Sequence, residues 1–182
     1  STFTNVTGTI DGGNRAIQVG NYTFTFAGCD LTLTGGEKAI QAKNVNSQVT
    51  ISSGTIRALL NPNYGGPQVG ENDGFGVKAT KLTVSSGATL IADGIRISSE
   101  EGTSTASIDG NVTINDYSYA FSSDINVDGY TPGFTMDAGS TTTIGSTGEV
   151  MNNSTIVSNG ELTNEGNLRN NGTVYNNGAI SN

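Results

Sequence analysis

Between Gly148 and Asn182 the chain repeats every six residues, as GEVMNN, STIVSN, GELTNE, GNLRNN, GTVYNN and GAISN. The third position of each hexad is aliphatic (Val150, Ile156, Leu162, Leu168, Val174, Ile180), and the fifth is small and polar (Asn152, Ser158, Asn164, Asn170, Asn176, Asn182). Side chains alternate along an extended strand, so the first, third and fifth positions share one side. One large apolar residue per hexad is too little for a helical stripe or an ordinary two-layer sheet. It closes a core only when successive repeats stack. If three hexads make a coil, Val150 stacks on Leu168, Ile156 on Val174 and Leu162 on Ile180. The same arithmetic pairs Asn152 with Asn170, Ser158 with Asn176 and Asn164 with Asn182, which gives buried amides partners along the axis. Gly opens every hexad but STIVSN, as suits a corner that needs either positive φ or close backbone approach. A disordered Asn/Gly-rich tail would have no reason to hold the aliphatic residue in phase.

Upstream, short alternating runs (NVTGTI, RAIQV, YTFTF, DLTLT) are bounded by Gly, Asp or Asn and read as strands between turns. Ala16-Ile17-Gln18 recurs as Ala39-Ile40-Gln41, which sets a coil of three strands with roomier turns. VTISSGTI at 49–56 recurs as LTVSSGATL at 82–90, and FTMDAG at 134–139 is a more divergent copy. No segment keeps a helical period. The pattern predicts an all-β chain forming one domain over residues 1–182. Its fold is a single-stranded right-handed parallel β-helix with three strands per coil, irregular at first and regular over 148–182. The right hand follows from the usual crossover rule and from the place of Gly, two positions before the aliphatic residue rather than just after it. The interval from Val49 to Leu82 is longer than one coil. Its excess lies in LLNPNYGGPQVGENDGFG, residues 59–76, where Pro62, Pro67 and several glycines predict a loop protruding from a corner. Residues 98–110 (SSEEGTSTASIDG) predict a second protrusion, and 128–133 (DGYTPG) a third break. Phe24 with Phe26, and Tyr117 with Tyr119 and Phe121, share strand parity and are expected to plug a wider part of the core.

Eight basic residues against sixteen acidic ones give a net charge of −8. No basic stripe exists to neutralise phosphates, so nucleic acid and anionic membrane are disfavoured as partners. No apolar run approaches the length of a membrane span. Cys29 is the single cysteine, which rules out an intrachain disulfide and a thiolate metal cluster and leaves it as a small core or corner residue. The chain has no His, hence no Ser-His-Asp triad and no histidine zinc site. There is no P-loop, and no cofactor is expected. Carboxylates are the remaining catalytic route, since glycoside hydrolysis needs two of them roughly 5–10 Å apart. The pairings available are Asp93 with Arg96, Glu100 with Glu101, and Asp124 with Asp128. None stands in a polysaccharide-cleaving motif, and they read as turn residues, as do Asp109, Asp116 and Asp137. Glu71, Asn72 and Asp73 supply too few oxygens for calcium, which takes about 6–8. No catalytic or metal residue is therefore assigned. Sugar binding needs an exposed aromatic ring beside amides and carboxylates. Tyr64 with Asn61, Asn63, Gln68 and Asp73 forms the best such group, with Tyr130 and Tyr175 secondary.

The Gly-x-[Leu/Ile/Val]-x-Asn-x phrases at 148–182, with TISSG, TVSSG and TMDAG upstream, resemble the repeats of bacterial right-handed β-helix surface proteins and adhesin passengers. The resemblance covers most of the chain. It implies secretion, display at the cell surface and adhesion to host or matrix glycans or proteins, and it carries over no catalytic residue. The start at Ser1 is consistent with a removed targeting segment, and further repeats are expected beyond Asn182. The expectation is a non-catalytic extracellular structural or adhesive module; the alternative is a carbohydrate-binding or polysaccharide-processing β-helix. Stacking makes one direct prediction. Leu168→Asp sets a charge against Val150 and should lower the unfolding free energy by more than about 1 kcal/mol; a smaller change in urea denaturation would contradict the three-hexad coil.

Overall fold

A computed structural model describes residues 1–61, 74–115 and 133–182. These residues form twenty-two strands and no helix, so no helix is long and apolar enough to cross a membrane. The strands fall into three parallel sheets, each taking every third strand. The first sheet holds β1 (Thr2–Thr4), β4 (Thr23–Ala27), β7 (Gln48–Ile51), β10 (Lys81–Val84), β13 (Ser104–Ile108), β16 (Ser140–Ile144), β19 (Glu161–Asn164) and β22 (Ala179–Ser181). The second holds β2 (Thr7–Asp11), β5 (Cys29–Gly35), β8 (Gly54–Leu60), β11 (Ala88–Ala92), β14 (Asn111–Ile114), β17 (Glu149–Asn152) and β20 (Asn167–Asn170). The third holds β3 (Arg15–Gln18), β6 (Lys38–Ala42), β9 (Phe75–Ala79), β12 (Ile95–Ile97), β15 (Phe134–Met136), β18 (Ile156–Ser158) and β21 (Val174–Asn176). One strand per sheet makes a coil, and the chain winds as a three-sided right-handed β-helix.

The core is a column of in-register ladders. On the second sheet Leu31, Ile56, Leu90, Val112, Val150 and Leu168 stack. On the third, Ile17, Ile40, Val77, Ile95, Phe134, Ile156 and Val174 do so. On the first the order is Phe24, Val49, Leu82, Ala106, Thr142, Leu162 and Ile180. The three aliphatic pairings expected of the hexads are all present, and so is the pairing of Ile17 with Ile40 across the first coils. Phe3, Phe24 and Phe26 fill the wide first coils, with ring centroids 5.0–6.0 Å apart. Cys29 is buried, its Sγ 3.4 Å from the Phe3 carbonyl oxygen, and acts as a small core residue.

Beside each aliphatic ladder runs a second one that changes character where the hexads begin. Leu33, Ala58, Ala92 and Ile114 give way to Asn152 and Asn170. Ile51, Val84, Ile108 and Ile144 give way to Asn164, and Ala79, Ile97 and Met136 to Ser158 and Asn176. The amides bond along the axis: Asn152 Nδ2 donates to Asn170 Oδ1 (2.7 Å) and Asn164 Nδ2 to Asn182 Oδ1 (2.8 Å), in each case over 18 residues. The buried Oδ1 atoms of Asn152 and Asn164 have no partner, because the rung before each is Ile114 or Ile144, which has nothing to donate.

Several expectations are refined. The hexad glycines adopt none of the positive φ angles seen elsewhere in the chain; they are needed for close approach. A Cβ on Gly148 would stand 2.2 Å from the Ile108 carbonyl oxygen, and one on Gly172 1.8 Å from that of Ser154. Positive φ belongs instead to the SSG-type turns, at Gly54 (88°), Gly87 (80°) and Gly139 (79°). Two of these turns join the first sheet to the second, but TMDAG joins the third to the first, so the phrase marks a turn type rather than a place in the coil. Residues 98–110 do not form one protrusion. Ser104, Ala106 and Ile108 point inward with the right alternation, and Ser104–Ile108 is a regular strand, which leaves only a corner at 98–103. At the long interval, Leu59 and Leu60 end β8 and Phe75 and Gly76 begin β9. The aromatic group at Tyr117, Tyr119 and Phe121 lies outside the described residues.

The two uses of glycine predict unlike responses to substitution. Gly148→Ala pushes a methyl into a backbone carbonyl and should cost about 1–3 kcal/mol. Gly87 has open space where a Cβ would stand, and Asn tolerates its left-handed backbone, so Gly87→Asn should cost less than about 1 kcal/mol. Equal losses in urea unfolding would contradict the close-approach account.

Candidate functional site

The corner between the second and third sheets is where the coils differ most. After Asn61 the described chain resumes at Gly74, and after Asn115 at Gly133; both intervals leave the second sheet at this corner, from β8 and β14. In the coil between them the corner is only Asp93 and Gly94, the latter with φ of 82°. Asp93 is 5% exposed. Its Oδ2 accepts the Leu60 backbone N–H (2.8 Å) and its Oδ1 accepts Asn115 Nδ2 (2.7 Å). One carboxylate thus joins three successive coils at the residues from which the two long intervals depart. Burial pushes its pKa up from the ordinary 3.8, and the hydrogen bonds from Asn115 and Leu60 oppose that rise in part.

Of the sugar-binding group read from the sequence, Asn61 stands at the root of the first interval, its N–H donating to the Gly35 carbonyl (3.0 Å). Asn63, Tyr64, Gln68 and Asp73 lie outside the described residues, as do Glu71, Asn72, Asp116, Asp124, Asp128 and Tyr130. Tyr175 is 58% exposed on the outer face of β21. The structure does not bring Asp93 and Arg96 together as a pair. Arg96 instead grips Asp137 through Nε and Nη2 at 3.0–3.2 Å, with its guanidinium 5.9 Å from the Phe75 ring centroid. Their places explain this: Asp93 turns inward at the corner, while Arg96 faces outward from the middle of β12. Asp109 accepts from Ser107 Oγ at 3.5 Å, a local turn contact. Glu100 forms an ion pair with Lys43. Among the described residues, no three Cys, Asp or Glu side chains gather where a metal ion would fit.

A feature absent from the sequence reading lies on the corner between the third and first sheets. A recess of about 190 Å³ is lined by Asn21, Asn44, Val45, Glu100 and Glu101. Tyr22, next to Asn21 in the chain, is 73% exposed. The only signal for it in the sequence is unequal corner length, and that becomes readable once strand ends are fixed. No protein-family model matches the chain, and no curated protein or solved structure proves similar to it.

The Asp93 corner makes a prediction with a definite sign. A carboxyl whose folded pKa is raised binds its proton more readily folded than unfolded. Its stabilising contribution is complete below about 3.8 and is lost as pH rises through the raised value. Asp93→Asn should abolish this descending limb while keeping an acceptor for Leu60, with the Asn115 amide turned over. Asp93→Ala strands a buried N–H and should cost about 1–3 kcal/mol across the pH range. Urea midpoints between pH 3 and 8 would separate the two, and a wild-type profile parallel to that of Asp93→Asn would refute the assignment.

Proposed function

We propose that the chain is a non-catalytic module of an extracellular bacterial surface protein, working as a stalk or an adhesive segment. The observation that carries this reading is the unbroken column: eight strands of one sheet stack in register, a rise of roughly 34 Å. A column that keeps its ladders from coil to coil transmits position rather than enclosing a substrate. Its outer surface supports the same reading. Thr2, Thr25, Thr50, Thr83, Ser107, Thr143, Thr163 and Ser181 form one row on the first sheet, uncharged, well hydrated and favourable to strands. The hexad phrases and their likeness to adhesin repeats supply the cellular setting.

The second reading is a carbohydrate-binding or polysaccharide-processing module, favoured by the departure of both long intervals from one corner, since insertions into solenoids collect on binding faces. In it Tyr64, Asn61, Asn63, Gln68 and Asp73 contact the sugar. The experiment displays the chain on a non-adherent bacterium and counts cells retained under flow on glycan-coated and matrix-protein-coated slides. An adhesive segment raises retention above the anchor alone on at least one coating. Retention on glycan that Tyr64→Ala removes supports the second reading. Reducing ends released from plant or bacterial polysaccharides by the purified chain would overturn the non-catalytic one.

A further inference from the structure

We infer that the recess on the corner between the third and first sheets is a binding site for a single sugar ring, the end unit of a glycan. The inference rests on the reading of the chain as an adhesive or sugar-binding module and gives that reading a place. The recess has a structural cause. This corner spans residues 19–22, then 43–47, then Thr80 alone, then 98–103. Thr80 is fully buried, and its N–H and Oγ1 bond the carbonyls of Ala42 (2.7 Å) and Ser98 (3.2 Å). Because that coil turns on one residue, the wide corners on either side meet across it. The Glu100 N–H reaches the Lys43 carbonyl at 3.5 Å, and Lys43 Nζ pairs with Glu100. The lower corner is braced by Ser99, whose Oγ donates to the Glu101 carbonyl at 2.6 Å.

Apart from Glu100, which holds Lys43, the polar groups around the recess are uncommitted, and the lining is of mixed polarity. The side-chain amides of Asn21 and Asn44 and the Glu101 carboxylate make no hydrogen bond to another described residue. Amides offer donors and acceptors, carboxylates only acceptors. Adjacent hydroxyls on a sugar ring use both. A calcium or magnesium ion is a poorer fit, since it needs several converging oxygens, and the Lys43 ammonium already sits on Glu100. At about 190 Å³ the space is below the roughly 300–1,000 Å³ of sites for drug-sized ligands, which suits one ring rather than a chain of them. Val45, 42% exposed, gives an apolar patch for the ring's C–H face, and the exposed ring of Tyr22 lies on the same corner.

The test is saturation-transfer NMR on the whole chain with free galactose, glucose, mannose and N-acetylglucosamine as probes. Wild type is compared with Asn44→Ala, Glu101→Gln and Tyr64→Ala, and far-UV circular dichroism checks folding; the first two substitutions lie on turns outside the ladders. The expected result is transfer to at least one of the four sugars, weakened about tenfold in affinity by Asn44→Ala and by Glu101→Gln and unchanged by Tyr64→Ala. Transfer that survives both recess substitutions overturns the site and leaves sugar recognition standing elsewhere on the chain. No transfer to any of the four overturns the site as well, while retention under flow decides the adhesive reading independently.

Discussion

Every coil must set its backbone amides against the carbonyls of the next on three faces at once, and the rest of the molecule answers to that requirement. Parallel pairing fixes the strands but not the corners, so variation in coil length is pushed into the turns. The first coil advances 23 residues between Thr2 and Thr25, and the last only 18 between Glu161 and Ala179. As the corners shrink the coil perimeter shrinks with them. Glycine at the head of the hexad follows from coil stacking, since a backbone carbonyl lies where a Cβ would stand, as it also does at Gly12 and Gly35 in the first coils. The phenylalanines that fill the first coils give way to a single large aliphatic residue per strand in the hexads.

This dependence explains what could be read in advance. The hexads state their own register, since side-chain type at each position has one geometric meaning when coils are equal. Val150 under Leu168 and Asn152 under Asn170 follow from counting alone. Upstream, unequal coils break the count. SSG-type turns look like register marks, yet TMDAG occupies a different corner from TISSG, because a left-handed turn is useful wherever two strands meet at that angle. The alternation in STASI is too brief to stand out beside the acidic residues before it, so a strand was hidden in an apparent loop.

The candidate sites obey the same logic. A carboxylate's role here depends on whether it sits at a corner or in mid-strand, and sequence neighbours such as Asp93 and Arg96 end up on opposite sides of the wall. Residues that do converge are far apart in the chain: Leu60, Asp93 and Asn115 at one corner, and Asn21, Asn44 and Glu101 at another. Such groupings depend on the difference between successive corner lengths, a quantity that emerges only after every strand end is placed.

The amide ladders begin with an unpartnered oxygen at Asn152 and at Asn164, and that position has a consequence for how such a column changes over time. The deficit belongs to the place where the ladder starts and does not grow with the number of rungs. Each hexad presents nearly the same side to any of the three faces. Gain or loss of one hexad would therefore turn the far end by a third of a revolution and leave every rung with a suitable neighbour. Length in this part of the chain is a quantity that duplication can adjust in small steps, with little effect on the stability of what lies before it.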